Sequence, residues 1–354
     1  MTVPTPQAAT SAQGNVPLTM RHVLEARRLL APMLPRPPLY HSPGLSALVE
    51  AELYVKYENH SPIGSFKARG ALVAVTKAIE AASQSRGRAL RGVIASSTGN
   101  HGMGMAYAGQ RLGVPVTVYV PEGANPDKCR LIEQFGGRVA ARGQDLATAT
   151  AAARAAAADS GMAYVDDGDD VWLQAGTGTI GAEIVEEQPE IELLVLPVGG
   201  GALLGGAGLG AKGLNPHIRV IGAAAERAPG VYLSWQAGGK AVRPPYNDTF
   251  AEGLTQPVPT PLAMQLVAAV ADDMVLVSED AIKEAIALLL EHTHNLAEGA
   301  GAAALAGVLQ LGSAVKGKKV AIVLTGGNIT REMLLEILAA GAQDGVLHQD
   351  RKGQ

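Results

Sequence analysis

Cysteine is almost absent. Cys129 stands alone in 354 residues, so the chain can close no disulfide within itself and build no multi-cysteine metal site. That usage fits a reducing compartment. Aromatic side chains are scarce as well (Phe 3, Trp 2, Tyr 8), so the core has to be assembled from Ala, Val, Leu and Ile. No excess of one charge exists: Lys and Arg number 29 against 33 Asp and Glu, and a net −4 offers no attraction to nucleic acid or an anionic membrane. The first seventeen residues (MTVPTPQAATSAQGNVP) lack the basic start and apolar stretch of a secretory signal and read as a polar tail. The stretch from Leu193 to Ala211 carries no charge, but it holds Pro197 and seven glycines from Gly199 to Gly210. A lipid-exposed helix tolerates that content poorly, and a buried strand entering a glycine loop explains it better. The expectation is a soluble, cytoplasmic protein.

What is abundant is glycine, 43 residues or about 12% against a usual ~7%. With 47% hydrophobic and 18% charged residues the chain can bury a sizeable core, and its length suits about two domains. Helical spacing over Met20–Leu34 ends at PRPP, Pro35–Pro38. Short apolar runs then alternate with amphipathic or alanine-rich stretches. Strands are expected at Leu53–Tyr57, Gly92–Ser96, Val114–Val120, Arg138–Ala141, Met162–Val165, Glu192–Val198, Arg219–Ala223, Met274–Val277 and Lys319–Thr325. Helices are expected at Ser65–Ser83, His101–Leu112, Pro126–Phe135, Leu146–Asp159, Gly178–Glu187, Ala202–Leu214, Thr260–Val270, Ser278–His292, Gly301–Leu311 and Arg331–Ala340. Such alternation, with strands too apolar for a wet face, predicts an α/β fold of two parallel sheets covered on both sides.

In a doubly wound fold, ligands sit beyond the carboxyl ends of strands, where glycine turns enter helices. Four segments have that form. SPIGSFKARGA, Ser61 to Ala71, puts Lys67 at the front of an amphipathic helix, where the positive end of the dipole favours a neutral amine, as Schiff-base chemistry requires. A lone lysine is otherwise most often a surface residue. ASSTGNHG, Ala95 to Gly102, packs hydroxyls, an amide and backbone N–H groups into one turn, suited to an oxyanion or simply to capping a helix. PVGGGALLGG, Pro197 to Gly206, offers a phosphate cradle at a helix N-terminus, yet it matches neither the dinucleotide fingerprint nor the P-loop. LTGGNI, Leu324 to Ile329, ends the last strand with a threonine hydroxyl.

S-F-K-x-R-G-A, S-x-G-N-H, the poly-glycine loop, E-G-A-G-A-A-A-L-A at Glu298–Ala306 and the T-G-G-N turn occur in one order over about His41 to Ala340. In this the chain resembles the fold type II pyridoxal 5′-phosphate enzymes, the serine/threonine dehydratase and serine racemase branch. The resemblance implies two doubly wound parallel-sheet domains of the tryptophan synthase β type. They are a large cofactor-binding domain from residues 18–88 and 172–354 and a small substrate-carboxylate domain at 89–171, after a disordered tail at 1–17. It implies that Lys67 carries the cofactor, flanked by Phe66, and that Gly199, Gly200, Gly201, Ala202 and Leu203 hold its phosphate. Ala202 stands where the family usually has a fourth glycine, and Glu298 precedes Gly299 where a proline is common. Asn100 would meet the ring hydroxyl, Thr325 the pyridine nitrogen, Gly253 the cofactor through its backbone, and Glu298 lies nearby. The N–H groups of Ser97, Thr98, Gly99, Asn100 and His101 would take the substrate carboxylate. Thr98 stands where racemases of the family carry serine as a second base and many dehydratases carry alanine.

The function this implies is a lyase that takes water and then ammonia from a β-hydroxy amino acid, L-threonine or L-serine by default, giving a 2-oxo acid. The alternatives are a bulkier or acidic substrate (phenylserine, 3-hydroxyaspartate), racemisation, or a ligand-binding regulator on the same fold. A small-molecule substrate and a homodimer or higher homo-oligomer follow from the family alone. Only fourteen residues follow Ala340, so no C-terminal effector domain and no isoleucine feedback are expected. The divalent-cation site of some relatives would fall on Ala224, Ala228 and Gly230, which lack carboxylates, so no metal is expected; Glu226 is the nearest substitute. His292 and His294 fall on different helix faces, DDGDD at Asp166–Asp170 reads as a solvated acidic loop, and Cys129 as an inert thiol. His101 is read equally as cofactor contact or helix-start packing.

Overall fold

Aliphatic runs with no polar alternation can form strands only where both faces are covered, and the computed structural model, which describes residues 16–86, 89–256 and 258–343, places them so. Most of the expected tail and the end of the C-terminal stretch lie outside the described residues. In chain order the elements are α1 (Met20–Leu30), β1 (Leu39–His41), α2 (Pro43–Val49), β2 (Glu52–Tyr57), α3 (Lys67–Arg86), β3 (Val93–Ser96), α4 (Asn100–Leu112) and β4 (Val116–Val120). There follow α5 (Pro126–Gln134), β5 (Arg138–Ala141), α6 (Leu146–Ser160), β6 (Ala163–Tyr164), α7 (Val171–Glu187), β7 (Leu193–Val198), α8 (Ala202–Leu214), β8 (Arg219–Ala225) and α9 (Gly230–Gln236). The chain continues with α10 (Pro261–Val270), β9 (Asp273–Val277), α11 (Glu279–Thr293), α12 (Gly299–Leu311), β10 (Lys319–Leu324) and α13 (Arg331–Gln343).

The strands form two sheets, a six-stranded one in the order β1-β2-β10-β7-β8-β9 and a four-stranded one in the order β5-β4-β3-β6. All pairings are parallel except β1 with β2, which is antiparallel. The edge strand β1 and helices α2 and α9 were not expected from the sequence. Each is short, and β1 is largely solvent-facing, so no apolar period marks it. Helix α7 begins at Val171, earlier than the expected Gly178, because Asp170 caps it through the Leu173 N–H.

The cause is packing. Gly176, Gly178 and Gly181 weaken α7 as an isolated helix, yet they let α8 lie almost on its backbone. A Cβ on Gly181 would stand 1.8 Å from the Ala207 carbonyl oxygen, and one on Gly210 2.0 Å from that of Gly178. Glycine here serves tertiary contact at the expense of helix propensity.

A second device is electrostatic. Arg69, in the first turn of α3, uses all five of its N–H groups: on Glu58 (2.9 and 2.9 Å), on Glu183 (2.7 and 2.7 Å) and on the Thr179 hydroxyl (2.9 Å). Lys56 Nζ adds a contact to Glu183 at 2.9 Å. Lys56, Glu58, Arg69 and Glu183 are all buried. Burial raises the Glu183 carboxyl, but Arg69 and Lys56 outweigh it and hold the group down at about 2.

Two outcomes follow. Gly181→Ala should lower stability to chemical denaturant by about 2 kcal/mol or more, since its Cβ has only backbone to meet. Arg69→Met should cost about 3–5 kcal/mol by the same measurement, because two buried carboxylates lose their guanidinium while the side-chain volume is kept.

Candidate active site

The chain before α3 is tied to the end of β10. Ser65 bridges to Gly326, and the Phe66 N–H donates to the Thr325 carbonyl at 2.9 Å. Ser61 Oγ holds Ser65 from the other side, accepting its N–H at 3.0 Å and donating to its carbonyl at 2.5 Å. Lys67 therefore starts α3 from a fixed turn, and Arg69 anchors the next residues in the core. Gly104 of α4 sits against the Lys67 backbone, where an added Cβ would meet the carbonyl oxygen at 3.0 Å. Lys67 Nζ is mostly buried, 5.1 Å from the centre of the Phe66 ring.

Its partner is Asp167, whose Oδ1 and Oδ2 accept from Nζ at 2.5 and 2.7 Å. DDGDD is thus solvated in part, as read, with the Asp167 side chain 44% exposed, but this one carboxylate has a specific partner. Asp166 accepts from the Gly168 and Asp169 N–H groups and from Arg154, while Asp170 caps α7. Burial raises the Asp167 carboxyl, but the Lys67 ammonium outweighs it and holds it below the usual carboxylate range. His101 is buried, its Nδ1 3.2 Å from Asp167 Oδ1, and neither ring nitrogen has a well-formed hydrogen bond among the described residues. Burial pushes its imidazole down, toward the neutral form.

The turn after β3 carries Ser97, Thr98 and Gly99 into α4. The expectation that all its N–H groups are free needs correction. The Ser97 N–H donates to the Tyr119 carbonyl (3.1 Å), continuing the sheet ladder, and the Gly99 N–H donates to Ser97 Oγ (3.1 Å). Thr98, Asn100 and His101 keep N–H groups with no acceptor among the described residues. Asn100 Nδ2 donates to Glu298 Oε1 at 2.6 Å, and Asn100 Oδ1 accepts from Asn328 Nδ2 at 2.8 Å. Asn328 lay unassigned within the T-G-G-N turn; its role emerges only when β10 meets α4.

Opposite lies the glycine loop. Gly201 has φ +91°, open to glycine at little cost, and α8 starts after it with no side-chain cap. Gly199 backs onto Gly253, whose carbonyl oxygen an added Cβ would meet at 2.6 Å. The N–H groups of Gly200, Gly201, Ala202 and Leu203 have no acceptor among the described residues, so they and the helix N-terminus form a ready anion cradle. Thr325 is buried beside it at the end of β10, the strand next to β7, and its hydroxyl has no partner among the described residues. Glu252, next to Gly253, accepts from Lys128 of α5.

Ala224, read as following a strand, lies within β8, paired with Val198 and Leu276, and Glu226 is exposed. No group of three or more His, Cys, Asp or Glu that could hold a metal occurs among the described residues. No helix among them is long and apolar enough to cross a membrane. Burial of Cys129 pushes its thiol up, away from reactivity.

Burial lifts Glu298 to about 7 despite the Asn100 hydrogen bond. A carboxyl raised above its unfolded value opposes folding as it ionises, so its contribution declines as pH rises from about 4.5 to about 7. Glu298→Gln cofactor-free protein should therefore gain in melting temperature over the native chain between pH 5 and pH 8 (roughly the titration window). Parallel curves would refute this.

Comparison with known proteins follows the same geometry. The family described as pyridoxal-phosphate dependent enzyme matches residues 31–326. An L-threonine ammonia-lyase of Thermotoga maritima is 39% identical over 324 residues, covering 92% of this chain and 79% of that protein. Among solved structures, maize serine racemase superposes with a TM-score of 0.83 at 26% identity, covering 93% of this chain and 99% of that one. A threonine deaminase from T.th. gives 0.80 at 32% identity, covering 88% and 99%. With a lysine at a helix start, a free glycine cradle at the neighbouring strand end and this extent of likeness, the chain belongs to the family of pyridoxal-phosphate-dependent enzymes.

Proposed function

We propose that the protein is an ammonia-lyase acting on a β-hydroxy amino acid, L-threonine or L-serine, which it converts to a 2-oxo acid and ammonia. The carrying observation is Lys67 at the start of α3, its Nζ mostly buried and held by Asp167, which also lies beside His101 of α4. The named ammonia-lyase and deaminase relatives support the reaction class.

The residues present fit pyridoxal phosphate. The cradle from Gly199 to Leu203 has no side-chain cap and offers N–H groups without an acceptor among the described residues at the N-terminus of α8, which suits a phosphate. Lys67 would hold the cofactor covalently, Phe66 would pack beside it, Thr325 would present its hydroxyl to the ring nitrogen, and Asn100 with Glu298 would face its oxygen substituent. Gly253 would bound the phosphate end. When bound, the cofactor supplies an electron-withdrawing ring that lets the substrate Cα release its proton.

The chain's own residues do the rest. The free N–H groups of Thr98, Asn100 and His101 orient the substrate carboxylate, with the Ser97 hydroxyl and Gly99 shaping the turn. Lys67 Nζ, once released, takes the Cα proton as general base. Glu298, with a carboxyl lifted by burial to about 7, accepts the Asn100 amide N–H at Oε1 and so fixes the Asn100 side chain. The Cα=Cβ bond forms as the Cβ–O bond breaks, the hydroxyl leaving as water with one proton that balances the one taken from Cα. Water then hydrolyses the imine tautomer of the released enamine to the 2-oxo acid and ammonia. Residues 18–88 with 172–354, and 89–171, would act as cofactor-binding and substrate-closing domains, in a cytoplasmic homodimer or higher oligomer.

Racemisation is the second reading, favoured by the likeness to maize serine racemase and the Thr98 hydroxyl in the turn. Chiral analysis of unreacted serine separates it from elimination. In the main test, native protein loaded with pyridoxal phosphate should absorb in the visible and release 2-oxo acid from L-threonine or L-serine. Lys67→Ala should lose the visible band and nearly all turnover; retention of both would overturn the proposal. Visible absorbance in the native protein without oxo acid from any amino acid would point to a ligand-binding regulator.

A further inference from the structure

The Asp166–Asp170 loop is rigid and turns a single carboxylate toward the reactive amine. The Gly168 carbonyl accepts from Gln174 Nε2 and from Thr260 Oγ1, both at 2.7 Å, pinning the loop to α7 and to the cap of α10. Asp166 and Asp170 are spent on Arg154 and on backbone N–H groups. Asp167 alone reaches Lys67 Nζ, at 2.5 and 2.7 Å. A substrate carbon that gives its proton to Nζ has to approach that same atom, so the group it bears at Cβ comes close to the Asp167 oxygens.

The balance of charge there is negative once Lys67 is engaged. His101, 3.2 Å from Asp167 Oδ1, is buried and driven toward its neutral form. Lys128 is taken up by Glu252, and Arg154 by Asp166. The two His101 ring nitrogens, buried without a hydrogen-bond partner, leave further polar capacity in the same corner.

We propose that Asp167, positioned with His101, determines substrate class: it accepts a hydrogen bond from a neutral donor at the substrate Cβ, such as a hydroxyl, and rejects a side chain that carries its own carboxylate. The inference rests on the ammonia-lyase reading and narrows it to neutral β-hydroxy amino acids, away from 3-hydroxyaspartate. Like charges facing each other in a partly buried site are disfavoured far more than in water.

The test uses L-asparagine and L-aspartate, which match in shape, differ in charge and carry no leaving group at Cβ. Titrated into the cofactor-loaded enzyme and followed by the visible spectrum, asparagine should bind about 10- to 100-fold more tightly than aspartate. In Asp167→Asn the difference should shrink to within about threefold, chiefly through better aspartate binding, whereas Asp167→Glu should keep it. The ratio of kcat/KM for L-serine over 3-hydroxyaspartate should move the same way. A second readout needs no turnover: the cofactor-free Asp167→Asn protein should take up pyridoxal phosphate several-fold faster, because no salt bridge holds Lys67. Equal binding of the two amino acids by the native enzyme, or an unchanged preference in Asp167→Asn, overturns the Asp167 assignment while leaving oxo-acid release intact. If the native enzyme recognises neither and releases no oxo acid from serine or threonine, the ammonia-lyase reading falls and this inference with it.

Discussion

The guanidinium of Arg69 is the point on which the candidate active site around Lys67 is hung. It lies two residues beyond Lys67 in the same helical turn and spends every N–H on Glu58, Glu183 and Thr179. Those partners come from the turn after β2 and from α7, so one side chain fixes where α3 begins relative to both. Four buried charges (Lys56, Glu58, Arg69, Glu183) sum to zero, which keeps the desolvation cost recoverable through short, charge-assisted hydrogen bonds. A hydrophobic replacement of similar volume would fill the space but would not set the rotation of α3. The rotation decides where Nζ of Lys67 points.

Glycine does the complementary work. Around α7 and α8 it brings backbones together, at Gly199 it lets the loop lie against the Gly253 backbone, and at Gly201 it allows the φ of +91°. The strand order explains why that space lies where it does. β7 has β8 on one side and β10 on the other, so the chain leaves their carboxyl ends in different directions and opens a crevice between the loops. Thr325 and the glycine loop stand at those strand ends in the larger sheet, and the Ser97–His101 turn is tied to the same end through the hydrogen bonds of Asn100 with Glu298 and Asn328. Lys67 opens the helix between them.

Polar groups around the crevice are not satisfied as a finished core would be. The N–H groups of the cradle and of Thr98, Asn100 and His101 lack acceptors among the described residues, and the buried His101 ring lacks partners. Elsewhere the molecule pairs even its most deeply buried charges. Asn100, Glu298 and Asn328, by contrast, are linked to one another, Asn328 donating to Asn100 and Asn100 to Glu298, which fixes the orientation of the Asn100 amide.

Local chemistry alone determined much of this. Unbroken aliphatic strands cannot face water, so parallel sheets covered by helices followed from the pattern, and glycine turns placed at strand ends marked the cradle and Lys67. Motif order pointed to Asn100, Glu298 and Thr325. What the tertiary structure decided are pairings between residues far apart in the chain. Asp167 reads as one of four acids in a polar loop, and only the packing of that loop on α7 and α10 turns it onto Lys67, a hundred residues earlier. The Ser97 N–H looks free until β4 places the Tyr119 carbonyl against it. Helix α7 looks too glycine-rich at its start until α8 takes up the space those glycines leave. Hydrophobic period and turn chemistry act over a few residues and can be read along the chain, whereas a salt bridge or a backbone contact depends on where two distant segments come to rest.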